Sequence, residues 1–89
     1  MEDEERRQQL ERELGREVAE GHVLYGIPAT AVAACGHCDD VLFELSRGRY
    51  AVVHLSYPQS GPDRPPWPET EVHVEWSAVA SYLSEHEDW

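Results

Sequence analysis

The sequence contains no lysine, and all seven of its basic residues are arginines. Eighteen aspartates and glutamates outweigh them, so the 89-residue chain carries a formal net charge of −11 at pH 7. Because contacts to phosphate need lysine and arginine, this shortage argues against direct binding of nucleic acid or of an anionic membrane. The same negative charge permits a basic protein partner, which electrostatic attraction would bring in quickly.

Long apolar runs are also missing, and none approaches the roughly 20 residues of a membrane-spanning helix. The chain starts Met-Glu-Asp-Glu-Glu, the opposite of a basic signal-peptide start. We therefore expect a soluble, cytoplasmic protein. In that compartment its two cysteines are expected to be thiols or metal ligands rather than a structural disulfide. The length predicts one domain, residues 1–89.

Residues 41–57 predict a β-hairpin around which the rest of the chain is organised. A two-residue loop at Arg47-Gly48 gives three predicted pairs: Leu45 with Tyr50, Phe43 with Val52, and Val41 with His54. Since side chains alternate along a strand, these six would form one bulky face, which we expect to be the main core. The shallower face would carry Leu42, Glu44, Ala51, Val53 and Leu55.

The flanking segments predict two helices and further strands. Residues 1–20 indicate an N-terminal helix that frays at its start, and residues 76–85 an amphipathic C-terminal helix. Residues 29–35 indicate a first strand, with Thr30, Val32 and Ala34 on the bulky face and a shallow alanine face that suits a helix. The apolar residues of 23–27 would plug the sheet. Residues 58–69 form a proline-rich loop, and 70–75 a candidate fourth strand. The predicted class is α+β: a three-stranded antiparallel meander, with this candidate fourth strand, between two helices.

The most conspicuous motif is Cys35-Gly36-His37-Cys38. The same four residues form the redox centre of thioredoxin-like isomerases, but that chemistry needs a cysteine at a helix N-terminus, and a β run follows here. Cys35, His37 and Cys38 could also ligate zinc, although a closed structural site wants four ligands. A symmetric homodimer that pools its cysteines would complete such a site. The alternative is a pair of inert residues beside a turn.

Carboxylates and one tryptophan are the candidate binding residues. Strand and loop acids are held more rigidly than those on a fraying helix, so the candidates are Asp39, Asp40, Glu44, Glu69, Glu71 and Glu75. Trp67, set between prolines, is either a lid over the sheet or an exposed anchor for a partner. No Ser-His-Asp arrangement and no phosphate-binding glycine loop is present, so we expect no enzymatic activity.

Three segments carry a longer pattern. They are Asp-Asp-Val-Leu-Phe-Glu-Leu at 39–45, Tyr-Ala-Val-Val-His-Leu at 50–55, and Pro-Pro-Trp-Pro at 65–68 followed by Thr70; Gly-His-x-Leu-Tyr-Gly precedes them at 21–26. This pattern resembles a group of small uncharacterised bacterial proteins, and the resemblance implies no particular activity. The Cys-Gly-His-Cys turn is not part of the pattern, which counts against a cysteine-based function.

The sequence thus predicts a non-enzymatic, acidic protein-binding module. Its size and charge are typical of an inhibitor or immunity-type protein that acts on a basic partner, such as a nuclease or another nucleic-acid-binding protein. The alternative is a small metal-binding or redox protein that uses Cys35 and Cys38, with zinc as the implied cofactor.

Overall fold

The computed structural model describes residues 3–35, 39–57 and 67–85. It confirms the α+β prediction: two helices flank a four-stranded sheet. The elements in chain order are α1 (Glu4–Glu17), β1 (Thr30–Ala34), β2 (Asp40–Glu44), β3 (Tyr50–His54), β4 (Glu69–His73) and α2 (Trp76–Glu85). The candidate fourth strand is therefore present. All neighbouring strands are antiparallel and lie in the order β1-β2-β3-β4.

Helix α1 begins after Asp3, whose side chain accepts a hydrogen bond from the Arg6 backbone N–H at 3.2 Å. This satisfies one of the free donors of the first turn. The helix is shorter than predicted and ends at Glu17, because Val18 already has extended backbone angles. Leu10 and Leu14 form its buried stripe, which packs into the core on one side of the sheet.

The turn of the hairpin has three residues, Ser46–Gly48, rather than the predicted two. Arg47 and Gly48 both adopt positive φ, 62° and 71°, and the Leu45 N–H donates to the Arg49 carbonyl at 2.8 Å. The extra residue shifts the register by one. Phe43 consequently lies opposite Ala51 and not opposite Val52 as predicted.

This shift also exchanges the faces of β3, because a slip of one residue turns every side chain over. The predicted pairs of Leu45 with Tyr50 and of Val41 with His54 are therefore wrong, as is the mixed core face built on them. The side that α1 covers carries Val41, Phe43, Leu45, Ala51, Val53 and Leu55. Leu42, Tyr50, Val52 and His54 lie on the other side, which α2 partly covers.

Strand β1 contains an irregularity that the sequence did not predict. Its pairing with β2 passes from Ala31 opposite Phe43 to Ala33 opposite Leu42, so the register shifts at Val32. This bulge places both Ala31 and Ala34 on the α1 side, whereas Val32 packs with the α2 cluster, opposite to the prediction. The small alanines do, as expected, let a helix approach, because α1 packs on β1.

Helix α2 has the predicted bounds and covers only part of its face. Val79 is fully buried against Leu42 and Val52, and Tyr82 and Leu83 pack around them. Trp76, the first residue of α2, is half exposed and contacts the Tyr50 ring edge-on, with 5.2 Å between the ring centroids.

A buried carboxylate ties the end of α1 to the end of β3. Glu17 accepts hydrogen bonds from the Ser56 N–H at 2.8 Å, the Ser56 hydroxyl at 3.1 Å and the Tyr57 N–H at 3.0 Å. Burial raises the pKa of Glu17 and a hydrogen bond to Glu13 raises it further, while the three donors act in the opposite direction. The contact fixes the segment that leaves the sheet towards the proline-rich loop.

Candidate functional site

A cleft of about 460 Å³ opens on the α2 side of the sheet, where α2 leaves the strands uncovered. Strands β2, β3 and β4, helix α2 and the residue pair before β4 all contribute to its walls. Its lining residues are Asp40, Val52, His54, Trp67, Glu69, Thr70, Glu71 and Tyr82. Four of the seven predicted partner-binding residues are therefore brought together here.

The register of the sheet explains how the polar residues meet. Asp40, His54 and Glu69 occupy directly opposed positions on β2, β3 and β4, so they form one row across the sheet. Glu71 stands opposite Val52 in the next row. Directly opposed residues project from the same face. The observed register thus sets three carboxylates on one side of the sheet.

Within this row His54 pairs with Asp40. The Nδ1 atom of His54 lies 2.8 Å from the Asp40 carboxylate, which accepts a hydrogen bond from it. His54 is also flanked on β4 by Glu69. A longer contact, 3.5 Å, joins Glu71 to Nε2 of His73, two residues further along β4. Two histidines are therefore interleaved with the acids, and each contacts one carboxylate.

The cleft is electrostatically negative. Its described lining includes three carboxylates and no arginine. Burial raises the pKa of Tyr82, and the nearby Asp40 and Glu71 carboxylates raise it further, because a phenolate would be repelled by them. The Arg7 and Arg16 ion pairs lie on α1, where their partners are Glu4 and Glu13. A cationic group would therefore be favoured in this cleft.

Trp67 stands at the mouth of the cleft with 51% of its surface exposed. The exposed half of the indole is accessible to a partner, and the use of Trp67 as an anchor rather than a lid stays a prediction. A half-exposed indole beside carboxylates offers an aromatic face to a cation that the acids attract. The ring thus extends the site from an acidic patch to an acidic and aromatic one.

A buried histidine holds the backbone next to Trp67. His22, only 6% exposed, accepts the Leu24 N–H on Nδ1 at 3.0 Å. Its other nitrogen must then carry the proton, which it donates to the Pro68 carbonyl at 3.0 Å. The Thr70 hydroxyl donates to the same carbonyl, also at 3.0 Å. This cluster joins the connector after α1 to the start of β4.

The sequence analysis missed His22 because the histidines showed no ligand spacing. A signal was nevertheless present: His22 and Leu24 lie in the Gly-His-x-Leu-Tyr-Gly segment, and Pro68 and Thr70 in the segment that begins at Pro65. The structure brings these two parts of the pattern into contact.

The connector itself differs from the predicted plug. Only Leu24 of its apolar residues is buried; Val23, Tyr25 and Ile27 are 63%, 54% and 37% exposed. The hydrogen bond from the Leu24 N–H to His22 turns this one side chain into the core. The predicted packing of the other three against the sheet is wrong.

Three predicted binding residues lie outside the cleft. Asp39 is exposed just before β2, and its carbonyl accepts the Leu55 N–H at 3.1 Å. Glu44 is exposed at the other end of β2, 3.4 Å from the Tyr50 hydroxyl that donates to it. It shares its face with Leu42 but not, as predicted, with Val53. Glu75 is exposed between β4 and α2.

The predicted cysteine site is described only at Cys35, because His37 and Cys38 lie outside the described residues. Cys35 follows β1 and is disulfide-bonded, so the expectation of a thiol or metal ligand is wrong for this residue, and its sulfur is not a thiolate ligand in this state. Across residues 3–35, 39–57 and 67–85, no three histidine, cysteine, aspartate or glutamate side chains are grouped so that they could hold a metal ion.

Within the same described ranges, no helix is long and apolar enough to cross a membrane. No protein-family model, no curated protein and no solved structure matches the chain. The geometry of the cleft is therefore the basis for a functional proposal.

Proposed function

We propose that the chain is a non-enzymatic binding module whose acidic cleft captures a cationic segment of a basic protein, in the manner of an inhibitor or immunity-type protein. The observation that supports this most directly is the convergence of Asp40, Glu69 and Glu71 with the half-exposed Trp67 on one cleft. The cytoplasm stays the predicted compartment.

The two components of the site have different roles in capture. The carboxylates, together with the net charge of −11, attract a basic partner over a distance and raise the association rate. Trp67 then supplies short-range contact, since a guanidinium or ammonium group over an indole gains about 0.5–2 kcal/mol. The rate of association would depend on salt, whereas the lifetime of the complex would depend on Trp67.

Rigidity favours this use of Trp67. The His22 and Thr70 hydrogen bonds hold the carbonyl of the next residue, Pro68, so the backbone that carries the indole is fixed before a partner arrives. A fixed side chain loses less conformational freedom on binding than one on a free loop. The buried histidine is thus a positioning residue for the proposed anchor.

The test uses three versions of the chain as baits for host proteins, which differ in whether and where negative charge is removed. They are the native chain, the cleft variant Glu69→Gln/Glu71→Gln, and a control, Glu5→Gln/Glu20→Gln. The control removes the same charge from exposed positions that do not line the cleft. We expect a basic protein from the host to be retained by the native chain and by the control, and lost from the cleft variant.

Association kinetics with that purified protein complete the test. At higher salt the native chain and the control should associate more slowly, and the cleft variant should be slow at both salt concentrations. Equal retention by all three baits, or a retained partner that is acidic, would refute capture by the cleft.

A further inference from the structure

The two edges of the sheet are not equally protected. At the β1 edge, the Glu11 carboxylate accepts the Ala31 N–H at 2.9 Å, and the bulge at Val32 interrupts regular pairing. Both features hinder the addition of another strand. At the opposite edge, β3 is the one strand paired with β4 in the described part of the chain. Among the described residues, none other than those of β3 pairs with the backbone of β4, so none of them prevents its outward backbone groups from accepting an added strand.

The side chains of β4 alternate between two environments. Glu69 and Glu71 point to the cleft side, where Trp67 also lies. Thr70 and Val72 belong to the other side, and Val72 is 37% exposed. An extended segment laid along β4 would meet acidic and then β-branched side chains in strict alternation. That alternation defines what the segment must contain.

Charge disfavours a second copy of this chain as the occupant in the two registers centred on Thr70 and Glu71. Antiparallel pairing of β4 with itself around Thr70 would place Glu69 of each copy opposite Glu71 of the other. Pairing centred on Glu71 would set that residue against its own counterpart. Like charges directly opposite each other destabilise a strand pair. A segment with positive side chains at the same positions has the opposite effect.

We infer that the β4 edge accepts an extended segment of the basic partner as a fifth, antiparallel strand. This inference rests on the proposed function and specifies its geometry. Arginine or lysine side chains at alternate positions face Glu69 and Glu71. The side chain between these two faces Thr70, and an apolar side chain next to the one opposite Glu71 faces Val72. Backbone hydrogen bonds supply affinity, and the alternating side chains supply specificity, as in other cases of strand addition.

Trp67 fits this arrangement. It lies two residues before Glu69 and lines the same cleft, so it stands where the added strand passes the start of β4. A third cationic side chain in the alternating series would reach the exposed indole. The recognised pattern is therefore a basic residue at every second position, with apolar or β-branched residues between.

Two peptides of identical composition test the inference. One alternates arginine and valine; the other places all the arginines before all the valines. Binding to the native chain is measured by fluorescence anisotropy at low and at physiological ionic strength. We expect the alternating peptide to bind about tenfold more tightly, which corresponds to about 1.4 kcal/mol. We also expect it to protect β4 amide protons from hydrogen exchange.

Changing the peptide rather than the protein avoids variants that fail to fold. Two further peptides keep the alternating sequence and its charge but carry an N-methyl group on every second backbone amide, so that those amides cannot donate hydrogen bonds. One is methylated at the odd positions and the other at the even positions, because either set of amides could face β4. The peptide whose methylated amides face β4 should bind about tenfold more weakly than the unmethylated peptide, and the affinity of the other methylated peptide should be nearly unchanged.

The outcomes separate the inference from the proposed function. Equal affinity of the alternating and block peptides, with both lost in Glu69→Gln/Glu71→Gln, would overturn strand addition and leave capture by charge in place. No binding of the alternating peptide to the native chain would overturn strand addition as well. Retention of the host partner by the cleft variant would instead refute the proposed function.

Discussion

The two faces of the sheet are built from alternate residues of the same strands, yet they differ in what covers them. On the α1 side, Phe43, Ala51, Val53 and Leu55 are fully buried beneath the helix and the connector. On the α2 side, only Leu42 and Val52 are buried in the sheet, and the row from Asp40 to Glu69 stays polar and open to the cleft. One face supplies stability, which leaves the other free to carry charge.

This contrast also shows why a small acidic domain can keep such a site. Placing carboxylates in a row costs stability through mutual repulsion. The α1 side contains most of the buried apolar surface, so it can offset that cost. The comparison predicts that substitutions on the α1 side act mainly on folding, and those on the α2 side mainly on binding.

The largest expected effect comes from Phe43→Ala on the α1 side. Loss of this fully buried ring should lower the free energy of unfolding by about 3–5 kcal/mol. Val52→Ala, on the α2 side, should cost about 1–3 kcal/mol. Chemical denaturation of both variants and of the double variant measures the values.

The double variant also tests the register. Because Phe43 and Val52 project from opposite faces, their effects should add to within about 0.5 kcal/mol. A larger coupling energy would mean that the two side chains touch, as a two-residue turn would have required. The faces described above would then be incorrect.

The next effect concerns Glu17, which holds Ser56 and Tyr57 on the α1 side. Glu17→Ala leaves three donors without their acceptor and should lower the free energy of unfolding by about 1–3 kcal/mol. Denaturation at neutral pH measures this loss. Glu13→Gln serves as a control, because it removes the neighbouring carboxylate and leaves those three hydrogen bonds in place.

The raised pKa of Glu17 gives this contact a pH dependence of known sign. The folded chain holds the Glu17 proton more tightly than the unfolded chain, so this group stabilises the fold at low pH. Its contribution falls as pH rises from the ordinary value of 4.5 through the raised pKa. The free energy of unfolding is measured against pH for the native chain and for Glu17→Gln. The native value minus the Glu17→Gln value should therefore fall as pH rises through this window. An upward slope would contradict the prediction.

A comparable loss is expected for His22→Ala, which removes the link between the connector and Pro68. The two missing hydrogen bonds should lower stability by about 1–3 kcal/mol. The indole N–H resonance of Trp67, assigned with Trp67→Phe, should shift as its backbone is released. Thr70→Val removes only the hydroxyl bond and should shift it less. An unmoved resonance would mean that His22 does not position Trp67.

The smallest effect is expected at Glu44, at the far end of the α2 side. Glu44→Gln weakens one exposed contact with Tyr50, so stability should change by less than about 1 kcal/mol. Because Glu44 lies outside the cleft, its charge reversal should slow association with the partner less than reversal of Asp40. The association rates of the two charge-reversed variants, measured at one ionic strength, test this prediction.

The elements of the fold could be predicted because their signals are local. Alternation marked the strands, and the amphipathic pattern gave the bounds of α2. The register could not be predicted, because it depends on Arg47 adopting a positive φ that arginine seldom takes. The bulge at Val32 left no signal either, since valine fits regular and bulged strands alike.

The candidate site was predictable in its chemistry and not in its assembly. Carboxylates and a tryptophan were recognisable from residue type. Their convergence depends on the one-residue shift, because the predicted register places Val41, not Asp40, opposite His54. The role of His22 required a contact across 46 residues of chain, which no local pattern reveals.

The Glu11 contact with the β1 edge has a consequence for assembly. A fibre grows by adding strands at both ends of a sheet, and each added chain must offer a fresh edge to the next. Here one carboxylate occupies the N–H of Ala31, and the β4 edge repels its own copy. A second copy of this chain would therefore meet an unfavourable contact at either edge of the sheet, which opposes edge-to-edge polymerisation.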